Sequence, residues 1–271
     1  MHLRCWIAAL VLLCCAAGAA RADLMLHPTR IVFDKATRSA QVELINNGSE
    51  PATYRLRLVN RRMGETGEFT AVDAPQPGEL FAEPMLRFSP RQVTVPPGGA
   101  QTVRLMLKKN PELAPGEYRS HLQFDRVAEP APAASATAAD AAPPKEIGIV
   151  LTALVGASMP IIVRQGPVSA QVTLSGLHLD GAALSLLFER SGTASVYGDL
   201  AVTFTPRGGA PVAVGGMGGV AVYVPNPRRR AVLPLTLPPG VALRDGRLAV
   251  VYRERPDQGG AVLARADLDV P

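Results

Sequence analysis

The chain of 271 residues is 47% hydrophobic and 5% aromatic, and its 28 Lys+Arg against 23 Asp+Glu give a formal net charge of +5. So small a positive excess makes no case for nucleic-acid binding. The three cysteines, Cys5, Cys14 and Cys15, all fall within the first 22 residues, so the chain beyond them has no disulfide, thiol nucleophile or thiolate metal site.

Those first residues, MHLRCWIAALVLLCCAAGAARA, carry one early basic residue, an apolar run from Cys5 to Ala17, and small residues leading to Ala20-Arg21-Ala22. This layout predicts a secretory signal peptide over 1–22, cleaved after Ala22. The apolar run is shorter than the roughly 18–20 residues of a membrane-spanning helix. The expected product starts at Asp23, works outside the cytoplasm and is not inserted in the membrane. Taking Arg4 and Arg21 from the 28 basic residues leaves 26 against 23 acids, a net charge of +3.

From there the chain reads as strands. Val42 to Leu44, Tyr54 to Leu58, Val103 to Leu107 and Tyr118 to Phe124 alternate in polarity, so each puts one face on a core and one in water. Asn46-Asn47-Gly48, Pro96-Pro97-Gly98-Gly99 and Ala114-Pro115-Gly116 mark the turns between them. The second half repeats the pattern at Val168 to Leu174, Leu184 to Phe188, Leu200 to Phe204, Val232 to Leu237, Leu248 to Tyr252 and Val262 to Val270. The expected fold is all-β, two antiparallel sandwiches in tandem.

Between the halves lies Ala128 to Lys145, AEPAPAASATAADAAPPK, which has nothing to bury and reads as a disordered loop or linker over 128–146. Ile147 to Val163, IGIVLTALVGASMPIIV, follows as one long apolar run. As a strand it would extend about 50 Å, enough to serve two partners or to overrun its own domain. A buried helix is the alternative.

Catalytic equipment is not evident. The histidines, His2, His27, His121 and His178, have no metal-ligand spacing. No serine sits in a nucleophile elbow, and no two carboxylates suggest an acid–base pair. Gly215-Gly216-Met217-Gly218-Gly219 lacks the lysine of a phosphate loop and reads as a hairpin or flexible tip. No enzymatic activity, cofactor or metal is expected.

Four segments together resemble the periplasmic pilus chaperones of PapD type. LMLHPTRIVF resembles that family's first strand with its T-R pair. RFSPRQVTVPPGGAQTVRL and LAPGEYRSHLQF resemble its P-G-x-x-Q-x-x-R segment and the turn into its sixth strand, and Ile147 to Arg164 stands in the place of its long seventh strand. The resemblance implies two immunoglobulin-like domains, 23–164 and 165–271, with the Ala/Pro stretch as an expanded loop inside the first.

It also implies a function. Such a chaperone caps a pilus or coat-like subunit by donor-strand complementation, lending its seventh strand to the subunit's open groove before an outer-membrane usher takes the subunit over. The implied groove-binding residues are Ile149, Leu151, Ala153 and Val155, which share one parity; they would equally serve their own domain's core. Arg30 matches the arginine that binds the subunit's C-terminal carboxylate. Pro160 stands where the family has a second cation, a lysine, and Arg119 is the expected substitute, unless it is a plain surface arginine. Arg164 and Asp257 match a pair that bridges the domains. The apolar edge also makes a self-capping homodimer plausible. The competing expectation is a structural or adhesive two-domain sandwich of a cell-surface assembly, which the low aromatic content disfavours.

Overall fold

The computed structural model describes residues 24–108, 112–128 and 156–271. Eleven strands form the first part: β1 (Leu24–His27), β2 (Ile31–Phe33), β3 (Ser39–Asn46), β4 (Ala52–Val59), β5 (Arg61–Met63), β6 (Phe69–Ala71), β7 (Leu86–Ser89), β8 (Gln92–Val95), β9 (Ala100–Leu107), β10 (Gly116–Arg126) and β11 (Ala157–Gln165). Seven form the second: β12 (Ala170–Asp180), β13 (Ala183–Gly192), β14 (Val196–Pro206), β15 (Val212–Val222), β16 (Arg228–Pro234), β17 (Gly246–Arg253) and β18 (Val262–Val270). No α-helix occurs among the described residues, only two short 3-10 turns.

Each part is an immunoglobulin-like sandwich. In the first, sheet β1-β3-β9-β7 packs on sheet β2-β11-β10-β4-β8; in the second, β12-β13-β16 packs on β15-β14-β17-β18. The alternating runs explain the packing. Val42 and Leu44 of β3, Val103 and Leu105 of β9, and Leu122 and Phe124 of β10 are buried in one core. Leu184, Leu186, Phe188, Leu200, Val202, Phe204, Leu248, Val250 and Tyr252 fill the other. Among the described residues the first edge of the chain switches sheets, β1 pairing with β3 and β2 running parallel to β11. Arg30 sits at that switch, immediately before β2.

Two elements depart from the expectations. The glycine run at 215–219 is the middle of β15, paired with β14, and not a hairpin or flexible tip. Glycine adds no hydrophobic signal to a strand. Here its missing side chain makes room: a Cβ on Gly215 would stand 3.0 Å from Leu235 Cδ2 and 3.3 Å from Leu233 Cδ2. The second is the β5–β6 hairpin, too short to show as a periodic run. Of the long apolar run, Ala157 onward is strand, paired with β10 on one side and with β2 on the other. Ile147 to Val155 of that run, and the Ala/Pro stretch after Ala128, lie outside the described residues.

Candidate functional site

Strand alternation builds one face of the first sandwich into a wall against the second. Tyr118, Leu122 and Phe124 of β10 face the core, so Glu117, Arg119, His121 and Gln123 face outward. The register sets their rows. His121 pairs with Pro160, Arg119 with Ile162 and Glu117 with Arg164. One residue before the Ile31–Ile161 pair, Arg30 stands level with Pro160. Ile162 meets Met63 of β5 and Ala221 and Tyr223 of the second sandwich in a small apolar cluster, with Val32 and Tyr197 packed on it.

Arg30 is 9% exposed. Its guanidinium lies 4.2 Å over the Tyr197 ring, and its Nε and Nη1 are buried without a hydrogen-bond partner. Stacking on the ring supplies part of what water would have supplied; the two nitrogens are left without an acceptor among the described residues. Arg30 lines a cavity of about 370 Å³ between the sandwiches, with Val32 and Arg164 on its own side and Ser169, Ser195, Tyr197, Glu254 and Gln258 among the residues on the other.

Arg119 does not line that cavity. It lies under the β5–β6 hairpin, where Nη2 donates to the Arg61 carbonyl at 3.2 Å and the guanidinium stacks 4.3 Å over Tyr223. Burial pulls its pKa down from the usual guanidinium value. The structure therefore sets Arg30 and Arg119 against different tyrosines and does not join them around one cavity. The reason is register: Arg119 is in the Ile162 row, one pleat away from the Pro160 row that holds Arg30.

The Arg164–Asp257 pair is corrected. Arg164 Nε is 3.1 Å from Glu117 Oε2, and Asp257 is 3.6 Å from Arg255. Adjacent strands bring Glu117 and Arg164 directly opposite each other, whereas Asp257 sits on an exposed 3-10 turn beside its own near neighbour. The bridge between sandwiches runs instead through Glu117. Its buried carboxylate accepts from the Ser195 N–H at 3.1 Å and from the Ser195 hydroxyl, which in turn accepts the Val224 N–H at 3.0 Å.

Three further contributors were missed. His121 is 2% exposed with neither ring nitrogen bonded, and the Phe69 ring meets it edge-on at 5.1 Å. The β5–β6 hairpin that carries Phe69 reaches the second sandwich: Asn226 Nδ2 donates to the Met63 carbonyl at 2.8 Å, and the Arg230 N–H to the Glu65 carbonyl at 2.7 Å. Glu117 is the third; its place opposite Arg164 and against Ser195 carries no sequence signal. Ile149, Leu151, Ala153 and Val155 lie outside the described residues. No group of metal-binding side chains occurs among the described residues, and no helix there is long and apolar enough to cross a membrane.

No protein-family model and no curated protein sequence matches the chain. Among solved structures it is similar to the YadV chaperone, at 14% identity and a TM-score of 0.45 over 92% of this chain and 100% of that one. It is similar to the CupB2 chaperone of Pseudomonas aeruginosa at 13% identity and 0.42, over 91% and 99% of the two chains. For the E. coli chaperone DraB the values are 16% and 0.43, over 92% and 96%. Likenesses this distant leave the function to the residues themselves.

Proposed function

We propose that the chain is a periplasmic chaperone of a chaperone–usher pathway, of PapD type, which caps pilus or coat-like subunits by donor-strand complementation. The observation that carries this reading is Arg30, a nine-tenths buried arginine that lines the cavity between the sandwiches and whose Nε and Nη1 have no hydrogen-bond partner among the described residues. A buried guanidinium with N–H groups left unbonded is a receptor for a carboxylate. In the proposed function the carboxylate is the subunit's C-terminus, and binding it sets the register of the donor strand. Arg30 supplies the cation; Pro160 stands in the row where a second would be, and Arg119 does not line the cavity.

Parity supports the donor residues. Met159, Ile161 and Val163 of β11 face the home core, and Ile149, Leu151, Ala153 and Val155 share their parity. A strand continuing upstream would present the same apolar side to a subunit whose sandwich lacks a strand. Delivery to an outer-membrane usher and self-capping by a second copy belong to this proposal, as does export through the predicted signal peptide. The role is one of binding, without catalysis.

The test is a native pull-down of the tagged protein from the periplasm of its host, with intact-mass analysis, for wild type, Arg30→Ala and Val155→Asp. A small secreted subunit is expected with wild type and lost from both variants. Partners indifferent to both changes would replace the chaperone with a structural or adhesive sandwich.

A further inference from the structure

The cavity that holds Arg30 has a second charged wall. Of its charged groups, Arg164 is occupied by Glu117. The hydroxyl of Ser195 is also committed, to Glu117 and the Val224 N–H. Arg30 and Glu254 remain, and neither has an ion-pair partner among the described residues. Glu254 follows β17 at the start of a loop that closes on itself through its N–H to the Ala261 carbonyl, at 2.8 Å. The neighbouring cation cannot neutralise it, because Arg255 is drawn to Asp199 at 4.0 Å and to Asp257 at 3.6 Å. Gln258, from the same loop, adds a neutral amide to that wall.

One cavity of about 370 Å³ is thus lined by Arg30 of the first sandwich and Glu254 of the second, neither of them ion-paired among the described residues. The complementary ligand carries a carboxylate and a cation. We infer that the cavity selects a subunit whose last residue is basic: its α-carboxylate binds Arg30, and its lysine or arginine side chain reaches Glu254. This rests on the proposed function and adds the chemistry of the chain end to it. An uncharged last side chain would cover Glu254 without pairing it, and a buried unpaired carboxylate is costly. The discrimination therefore comes as much from the penalty on the wrong end as from the contact with the right one.

The test titrates the purified protein by NMR with four probes: acetyl-Gly-Ala-Val-Lys, the same peptide ending in norleucine, the lysine peptide as its C-terminal amide, and free lysine. Wild type is expected to bind the lysine acid about tenfold more tightly than the norleucine acid, as for a partly desolvated ion pair. Glu254→Gln should remove that preference, weakening the lysine acid and tightening the norleucine acid, whose burial penalty goes with the carboxylate. Arg30→Gln should remove the advantage of the acid over the amide. Equal binding of the lysine and norleucine acids to wild type, or a preference that survives in Glu254→Gln, overturns the basic-end selection and leaves the carboxylate seat standing. No preference for acid over amide in wild type overturns the seat itself. Free lysine binding as tightly as the lysine peptide would make the ligand a free amino acid and overturn the proposal.

Discussion

At the scale of single residues, His121 holds a neutral imidazole in a place that penalises its charge. Burial, with the guanidinium groups of Arg119 and Arg61 adding to it, pushes its pKa down to about 3. An unfolded chain would protonate the same histidine near 6.5. Between these values the unfolded state holds one proton more, so this residue's contribution to stability is fully present above about pH 6.5 and is lost as the pH falls toward 3. His121→Leu should abolish that part of the acid sensitivity, which urea unfolding at pH 7 and pH 4.5 would measure as a smaller loss for the variant. It should also raise stability at pH 7 by about 1 kcal/mol, because it removes two buried nitrogens that bond to nothing. A variant as acid-sensitive as wild type would show that His121 does not titrate in this way.

At the scale of elements, the β5–β6 hairpin is the clasp between the sandwiches, and its contacts differ in worth. The Glu65–Arg228 ion pair, at 2.7 Å, has 38% and 59% of the two side chains exposed, so it contributes at most about 1 kcal/mol. Met63 is 3% exposed and packs on Ile162, Ala221 and Tyr223. Met63→Ala should cost about 2 kcal/mol or more by leaving a cavity there, whereas Glu65→Gln should cost less than about 0.5 kcal/mol; equilibrium denaturation of the two variants checks the order. The hairpin's turn is also constrained. Gly67 has φ +95°, so a side chain there would be strained by the backbone and would also have to displace the Arg229 guanidinium, 2.5 Å from its Cβ.

At the scale of the whole molecule, two cores are coupled through a narrow interface. Its apolar part includes the cluster around Ile162, and its polar part joins the hairpin contacts to the Glu117 carboxylate with Arg164 and Ser195. Removing one partner of such a buried network leaves the others uncompensated. Glu117→Ala should cost about 3 kcal/mol, the lower end of the range for a buried pair, since 34% of the Arg164 side chain remains in solvent. Calorimetry should show one unfolding transition in wild type and two in Glu117→Ala, as the sandwiches lose their coupling. A single transition in the variant would place the coupling in the hairpin alone.

What the sequence determined by itself is what a period of two can carry. Tyr118 to Phe124 lies inside β10, and Val262 to Val270 is β18 from end to end, because alternation records which side of a strand meets a core. β15 escaped it, since its glycines leave the contact to the leucines opposite. The candidate site was legible only in part. Arg30 could be singled out beside its threonine, but its burial, its stacking on Tyr197 and its two unbonded nitrogens exist only once the second sandwich stands against the first. Likewise Arg164 takes Glu117, 47 residues away in sequence, because antiparallel register sets them side by side. Local pattern dictates which way a side chain points; docking of two finished sandwiches decides what it meets there.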